Sequence, residues 1–320
     1  HARVVTVLAG PNGRAAAELL PGVDRVIVWR APWIAYPPPP LSAEGVAELL
    51  GLLGGGDARG RGYGGGGVDE AVILTSFHQS ALPLALLLRL AGVRRIAAIS
   101  NDYPGSLLDV RHVVDEDVDV PEAERMLGLA VTAGFEPPPG DDGRLAVRRP
   151  LPGVSRFGLG PGPYVVVHPG ASAPARAWPA ERHRQAVRDL AGDGHRVVVT
   201  GTGSERELTA HVAGGDAVDL GGRTTLAELA ALIEGAGVLV AGNTGPAHLA
   251  AAVGTPVVSL FAPVVPAARW APYRVPVVLL GDQDAPCRDS RARQCPVSGH
   301  PCLAQVTSEQ VVKAVRELIR

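Results

Sequence analysis

Lysine is almost absent from this 320-residue chain: Lys313 is the only one, and arginine carries the rest of the positive charge. With 40 glycines and 29 prolines beside a single methionine, that bias marks a GC-rich coding sequence and says nothing of mechanism. The formal net charge is −2 and the basic residues are scattered rather than gathered in a stripe, which excludes the electrostatic footprint of a nucleic-acid binder. No uninterrupted apolar run reaches membrane-spanning length, and no charged n-region followed by an apolar h-region opens the chain. The expected location is therefore the cytoplasm.

Cysteine is scarce too. Cys287, Cys295 and Cys302 all fall in "CRDSRARQCPVSGHPC" with His300, but no C-x-x-C pair of the zinc-knuckle type is present. The segment reads as an ordered, reduced loop, with no metal expected. Also missing is a complete dinucleotide fingerprint: in "VVVTGTGSERE" (197–207) Gly201 and Gly203 are followed by Arg206 where a third glycine belongs.

What is present is aliphatic. Hydrophobic residues make up 46% of the chain and aromatics only 4%, ample for two domains of ordinary size. Short Val/Ile/Leu runs alternate with helical patterns: "VVTVLA" (4–9), "RVIVW" (25–29), "EAVILTS" (70–76) and "RIAAIS" (95–100), then "YVVVHPG" (164–170), "HRVVVTG" (195–201), "AVDLGG" (217–222), "GVLVAGN" (237–243), "TPVVSLFA" (255–262) and "VPVVLLG" (275–281). Continuous rather than alternating runs imply strands covered on both faces, so the fold class is α/β with doubly wound parallel sheets. The proline- and glycine-rich stretch 148–163 reads as an interdomain linker, giving an amino-terminal domain over 1–150 and a carboxyl-terminal domain over 151–306. Residues 307–320 form a terminal helix opened by a Thr-x-x-Gln capping box, with Val311, Val312, Val315 and Leu318 on one face. Stretch 51–67 has the composition of a surface loop, and "YPPPP" (36–40) that of a stiff spacer.

Candidate chemistry gathers at strand ends. After "GVLVAGN", Asn243, Thr244 and Gly245 occupy the turn at the carboxyl end of a buried strand, with Pro246 expected at the first position of the next helix and His248 in its first turn. Free N–H groups and the positive end of the helix dipole suit an anion such as phosphate; Thr244 as a simple cap and His248 as a packing residue are the structural alternatives. Ser172 and Arg176 follow another strand, and the arginine's fork suits a diphosphate. Glu205, near the start of the helix after "VVVTG", is a carboxylate placed to accept ribose hydroxyls. In the first half His78, Gln79, Asn101, Asp102 and Tyr103 also stand at strand ends, where ordinary turn chemistry would account for them equally.

These residues resemble the heptosyltransferase-like glycosyltransferases of family nine, which build lipopolysaccharide inner cores in Gram-negative bacteria. The resemblance is carried by "HPGASAPARAWPAERH" (168–183), "VVVTGTGSERE" (197–207), the block from Leu220 to Pro263 with its Thr-Gly-Pro-x-His signature, and "LLPGVDRVIVW" (19–29). It implies two Rossmann-like domains facing across a cleft, the glycosyltransferase B type, the second holding a nucleoside-diphosphate sugar and the first the acceptor. It implies inverting transfer of a sugar, with a heptose the expected one, to a hydroxyl of a glycan or glycoconjugate, without bound metal or cofactor. By the same matching, Ser172 and Arg176 contact the diphosphate, Glu205 the ribose, Thr224 the nucleoside, and Asn243, Thr244, Gly245 and His248 the diphosphate and sugar; His78, Gln79 and Asp102 lie on the acceptor side.

The pattern departs from the family in two places. Asn243 stands where an aspartate is common. The family's catalytic aspartate, the general base, belongs to a loop after a first strand expected ahead of His1; within the chain His78 and Asp102 are the candidates to replace it. The acceptor would bring the protein at most to the inner face of the membrane, as a peripheral contact. An epimerase or hydrolase of nucleotide sugars, and a nucleotide-sugar-binding module without catalysis, remain the rival readings on the same fold.

Overall fold

The computed structural model describes residues 3–54 and 67–319. The chain divides into two compact units, His1–Gly143 and Arg144–Arg320.

In the first unit β1 (Thr6–Ala9) pairs in parallel with β2 (Arg25–Val28), and β3 (Glu70–Ile73), β4 (Arg95–Ile99) and β5 (Val110–His112) form a separate parallel sheet. The helices are α1 (Arg14–Glu18), α2 (Ala43–Leu53), α3 (Leu82–Leu90) and α4 (Glu122–Thr132). Strand β4 shows why its sequence is apolar throughout. Successive side chains of a strand point to opposite faces: Ile96 and Ala98 enter a core with Leu49, Leu53 and Leu88, while Ala97 and Ile99 pack with Leu129 and Ala133 at α4. Ser42 caps α2 by accepting from the Gly45 N–H at 3.1 Å, and the Gly45 carbonyl accepts from the Trp29 indole at 3.1 Å. The loop read over 51–67 begins later than expected, because α2 continues to Leu53; residues 55–66 lie outside the described residues.

The second unit is one six-stranded parallel sheet: β6 (Val165–His168), β7 (Val197–Val199), β8 (Val218–Asp219), β9 (Val238–Gly242), β10 (Val257–Leu260) and β11 (Val277–Leu280), in the order β11-β10-β9-β6-β7-β8. Around it lie α5 (Ala180–Gly192), α6 (Arg206–Ala213), α7 (Leu226–Glu234), α8 (Gly245–Val253), α9 (Ala267–Trp270), α10 (Pro301–Ala304) and α11 (Ser308–Leu318). Every residue of β6, β9 and β10 is buried. The chain runs outward from β6 through β7 and β8, then crosses back to β9 on the other side of β6. The strand order therefore reverses between β6 and β9, and the crevice outside the carboxyl ends of strands at such a switch point is where ligands bind.

The capping box of α11 is present: the Gln310 carboxamide oxygen accepts from the Thr307 N–H at 2.8 Å, and Thr307 Oγ1 accepts from the Gln310 N–H at 3.3 Å. The stretch 148–163 is not a free linker. Phe157 and Leu159 are buried, Arg149 pairs with Glu234 at 2.5 Å, Arg156 with Glu228, and Arg196 donates to the carbonyls of Leu159, Gly160 and Pro161. Its prolines and glycines shape a turn-rich strap on the second unit. No helix of the described residues is long and apolar enough to cross a membrane.

Candidate functional site

At the end of β9, Asn243 is buried and Thr244 takes the N-cap position of α8 in extended conformation (φ −143°, ψ 171°) without a side-chain cap bond. Its hydroxyl donates instead to the Gly242 carbonyl at 3.3 Å, so the simple capping role does not hold. The helix opens at Gly245, which moves Pro246 from the expected first helical position to the second: the Ala247 N–H bonds the Thr244 carbonyl at 3.1 Å and closes the turn one residue earlier. The proline's missing N–H still falls among the first-turn groups that have no intrahelical partner. Gly245 is exposed, and a Cβ there would meet nothing within 4 Å. The helix mouth is open.

Across the switch point, the loop after β6 closes on this mouth. A Cβ on Gly242 would stand 3.0 Å from the Arg176 carbonyl, so the glycine permits the approach of the two loops. Ser172 is exposed and Arg176 half-buried, at the end of a one-turn 3-10 helix, Pro174–Arg176. Arg176 Nε is buried with no hydrogen-bond partner. Burial, followed by the charge of Arg176, pulls the His248 imidazole below its ordinary range, so at neutral pH it offers one N–H donor rather than a charge. Its ring meets Trp270 edge-to-face with centroids 6.3 Å apart.

The loop after β7 brings in Glu205. Its Oε2 accepts from the Thr202 N–H at 2.7 Å and from Thr202 Oγ1 at 2.8 Å, and its carboxylate lies on Gly170: a Cβ on that glycine would fall 2.0 Å from Oε1. Behind Gly170, buried His168 places Nδ1 3.0 Å from Thr200 Oγ1; burial lowers it to about 4, against the opposing pull of Glu205. Thr224 is half-buried on the loop after β8, just before Thr225, which caps α7. All these loops leave one edge of a parallel sheet.

In the first unit β3 and β4 are adjacent and parallel, so the loops bearing His78 and Asp102 also leave one edge. His78 is exposed, with Nδ1 3.2 Å from Ser76 Oγ. Gln79 does turn work: its N–H bonds the Ser76 carbonyl at 2.9 Å and its Oε1 accepts from the Ser76 N–H at 3.3 Å. Asn101 clasps Val114 through both ends of its amide, while Asp102 and Tyr103 are exposed.

The cysteine segment packs on the loop after β6. Cys287 and Cys302 are buried free thiols with sulfurs 3.9 Å apart, and burial followed by Cys287 pushes the Cys302 thiol up to about 12. Cys295 Sγ donates to the Val297 carbonyl at 3.2 Å, and His300 Nε2 lies 3.1 Å from the Ala175 carbonyl. Among the described residues no group of three or more His, Cys, Asp or Glu is placed to hold a metal ion. Arg293, in the middle of this segment, accepts the Ala175 N–H on its carbonyl at 2.9 Å and donates from Nη2 to the Ser172 carbonyl at 3.0 Å. Arg293, Trp270 and His168 are the neighbours of the site that local sequence patterns did not single out.

The model of glycosyltransferase family 9 (heptosyltransferase) matches residues 74–300. The chain belongs to glycosyltransferase family 9. Within the family it is 30% identical over 165 residues to lipopolysaccharide heptosyltransferase 3 of Escherichia coli, a match covering 49% of this chain and 47% of that protein. It is 33% identical over 135 residues to lipopolysaccharide heptosyltransferase 1 of Pseudomonas aeruginosa, covering 42% and 38%. The chain thus matches less than half the length of these curated relatives. Solved structures extend the likeness of fold to almost the whole chain: E. coli ADP-heptose lps heptosyltransferase II (TM-score 0.69, 19% identity, 99% of this chain and 89% of that one) and a family 9 glycosyltransferase from Veillonella parvula (TM-score 0.72, 18% identity, 99% and 88%). E. coli heptosyltransferase WaaC, solved with ADP-2-deoxy-2-fluoro heptose, matches with TM-score 0.66 and 18% identity over 97% of this chain and 88% of its own. The family fold is the glycosyltransferase B type, and both units here are α/β with parallel sheets.

Proposed function

We propose that this protein is a glycosyltransferase that moves a heptose from ADP-heptose to a hydroxyl of a lipopolysaccharide-type glycan acceptor, with inversion and without a metal ion. The donor and acceptor classes come from the relatives, of which one was solved with an ADP-heptose analogue and others are lipopolysaccharide heptosyltransferases. The observation that carries the reading is the convergence of Arg176, His248 and the open mouth of α8 at the switch point between β6 and β9.

The hard part of such a transfer is the charge that grows on the departing diphosphate as the sugar bond breaks. Preorganised donors aimed at developing charge are the strongest catalytic device available in a partly desolvated site. Arg176 supplies a cation with an unsatisfied buried Nε, Gly245 an approachable backbone, Thr244 a hydroxyl and His248 a neutral N–H; together they do the work a divalent cation does elsewhere. Glu205, fixed by Thr202, presents a carboxylate for ribose hydroxyls beside Gly170. Ser172 and Thr224 border the same edge, and buried Asn243 precedes Thr244 in the same turn. In this reading the reaction takes place on the cytoplasmic side, and the acceptor brings the protein to the inner face of the membrane as a peripheral contact.

The test is an incubation of the protein with ADP-heptose in the presence and absence of a heptose-accepting lipopolysaccharide core. Stoichiometric release of ADP and glycosylated acceptor is expected, abolished together in Arg176→Ala. ADP release without acceptor would assign a hydrolase, an altered donor an epimerase, and tight binding with no product a binding module.

A further inference from the structure

The segment from Cys287 to Cys302 has so far no role, yet it touches the donor loop at three points. The Arg293 carbonyl holds the Ala175 N–H, the Arg293 guanidinium holds the Ser172 carbonyl, and His300 reaches the Ala175 carbonyl. Ala175 is the chain neighbour of Arg176, so these contacts bracket the two residues assigned to the diphosphate. The segment is also held in a costly backbone: Asp289, Arg291 and His300 all adopt positive φ, between 49° and 56°, a region that residues with a Cβ occupy only when their surroundings enforce it. Buried Cys287 and Cys302 and the body of the second unit supply that enforcement.

The geometry points to Arg293 as the second cation of the diphosphate site, a binding residue that also fixes the Ser172–Arg176 loop and sets its own charge beside that of Arg176. This inference rests on the donor-site reading above. A guanidinium carries five N–H donors in a fixed fork, so bracing Ser172 and meeting an anion are compatible. The two arginines are close enough for Arg293 to act with burial in weakening the hold of Arg176 on its proton. Two like charges held together are mutually unfavourable, and a bound dianion turns that repulsion into attraction for both. With Arg176 and Arg293 together, each phosphate of a diphosphate has a cation of its own. The segment would therefore make the site selective for nucleoside diphosphates, free or sugar-linked, over nucleoside monophosphates.

The test uses calorimetric titration of the whole protein with inorganic pyrophosphate, ADP and AMP, in wild type, Arg293→Ala, Arg293→Lys and Arg176→Ala, with the melting temperature of each as a check on folding. Arg293→Ala should weaken pyrophosphate and ADP about tenfold, the size of one charge-assisted hydrogen bond, and weaken AMP by less than about threefold. Arg293→Lys, which keeps the charge and loses the fork, should recover much of the pyrophosphate affinity. Equal loss for ADP and AMP, or no recovery with lysine at an unchanged melting temperature, would reduce Arg293 to a brace and overturn the inference. Unchanged pyrophosphate binding in Arg293→Ala together with loss in Arg176→Ala would overturn it while leaving the donor site standing. Failure of the wild-type protein to bind pyrophosphate or ADP would overturn both.

Discussion

Gly170→Ala tests whether Glu205 stands where ribose recognition needs it. An ideal Cβ on Gly170 falls 2.0 Å from Glu205 Oε1, 2.4 Å from Cδ and 2.7 Å from Oε2, so methyl and carboxylate exclude each other. Gly170 is not among the glycines with positive φ, and the overlap involves only the end of a side chain. The protein relieves it by swinging the carboxylate away with the backbone left in place. What is lost is the pair of bonds from the Thr202 N–H and hydroxyl, worth about 1 kcal/mol as a cap, and the melting temperature should fall by roughly 2–4 °C. If the same carboxylate accepts ribose hydroxyls, ADP binding loses a charged acceptor as well, about 1.5–3 kcal/mol, or about ten- to a hundredfold in Kd.

Calorimetry and melting curves on Gly170→Ala, Glu205→Ala and the double variant separate the two effects. Glu205→Ala removes all three close contacts, so the double variant should match Glu205→Ala alone in both affinity and melting temperature. Strictly additive losses, or a lowered melting temperature with ADP affinity intact, would refute the reasoning and detach Glu205 from the nucleotide.

Arg176→Ala should cost ADP binding about 1.5–3 kcal/mol, the worth of a charge-assisted contact; an unchanged Kd removes Arg176 from the site. Buried His168 and His183 are lowered to about 4 and about 3 from 6.5, so the unfolded chain binds their protons first: stability is full above pH 6.5 and drains as pH falls toward those values, by several kcal/mol in all at about 1.4 kcal/mol per pKa unit. Urea midpoints between pH 4 and 7 should show this, with His183→Leu about halving the slope; a flat wild-type profile would contradict the burial of neutral imidazoles. Gly281→Ala combines φ of 127° with a Cβ 2.5 Å from the Phe261 carbonyl, and should destabilise the second unit by about 3 kcal/mol in urea titration. Trp270→Ala should weaken ADP binding a few-fold through loss of the edge contact that holds His248, whereas Trp270→Phe retains it; unchanged ADP binding in Trp270→Ala would place the indole outside the site.

Most of the strands were legible because each is a continuous Val/Ile/Leu run, and β4 shows the cause, with both faces covered. The exception, β5, is three residues long with Arg111 at its centre, too short and too polar for any periodicity. Residues at strand ends, such as Thr244, Arg176 and Glu205, were visible as candidates because parallel strands deliver all their carboxyl ends to one edge. What sequence patterns do not carry is the order of the strands. The reversal between β6 and β9 decides which loops meet, and the strand order as a whole brings Arg293 against Ser172, 121 residues away. The proline- and glycine-rich strap misled for a related reason: its composition marks irregular backbone, while its burial depends on Arg196, Glu228 and Glu234, none of which is local.

The two small sheets of the first unit have a consequence for handling the protein. Among the described residues, β1 and β3 each pair with a strand on one side only, and neither β1 nor the exposed Val4 and Val5 before it carries a proline or a charge. Bare rows of amide and carbonyl groups next to apolar side chains are adhesive toward any extended chain that drifts past. Concentrated preparations should therefore cloud from the amino-terminal half, and a charge placed by Val5→Lys is the change that should keep them clear, read as light scattering over time.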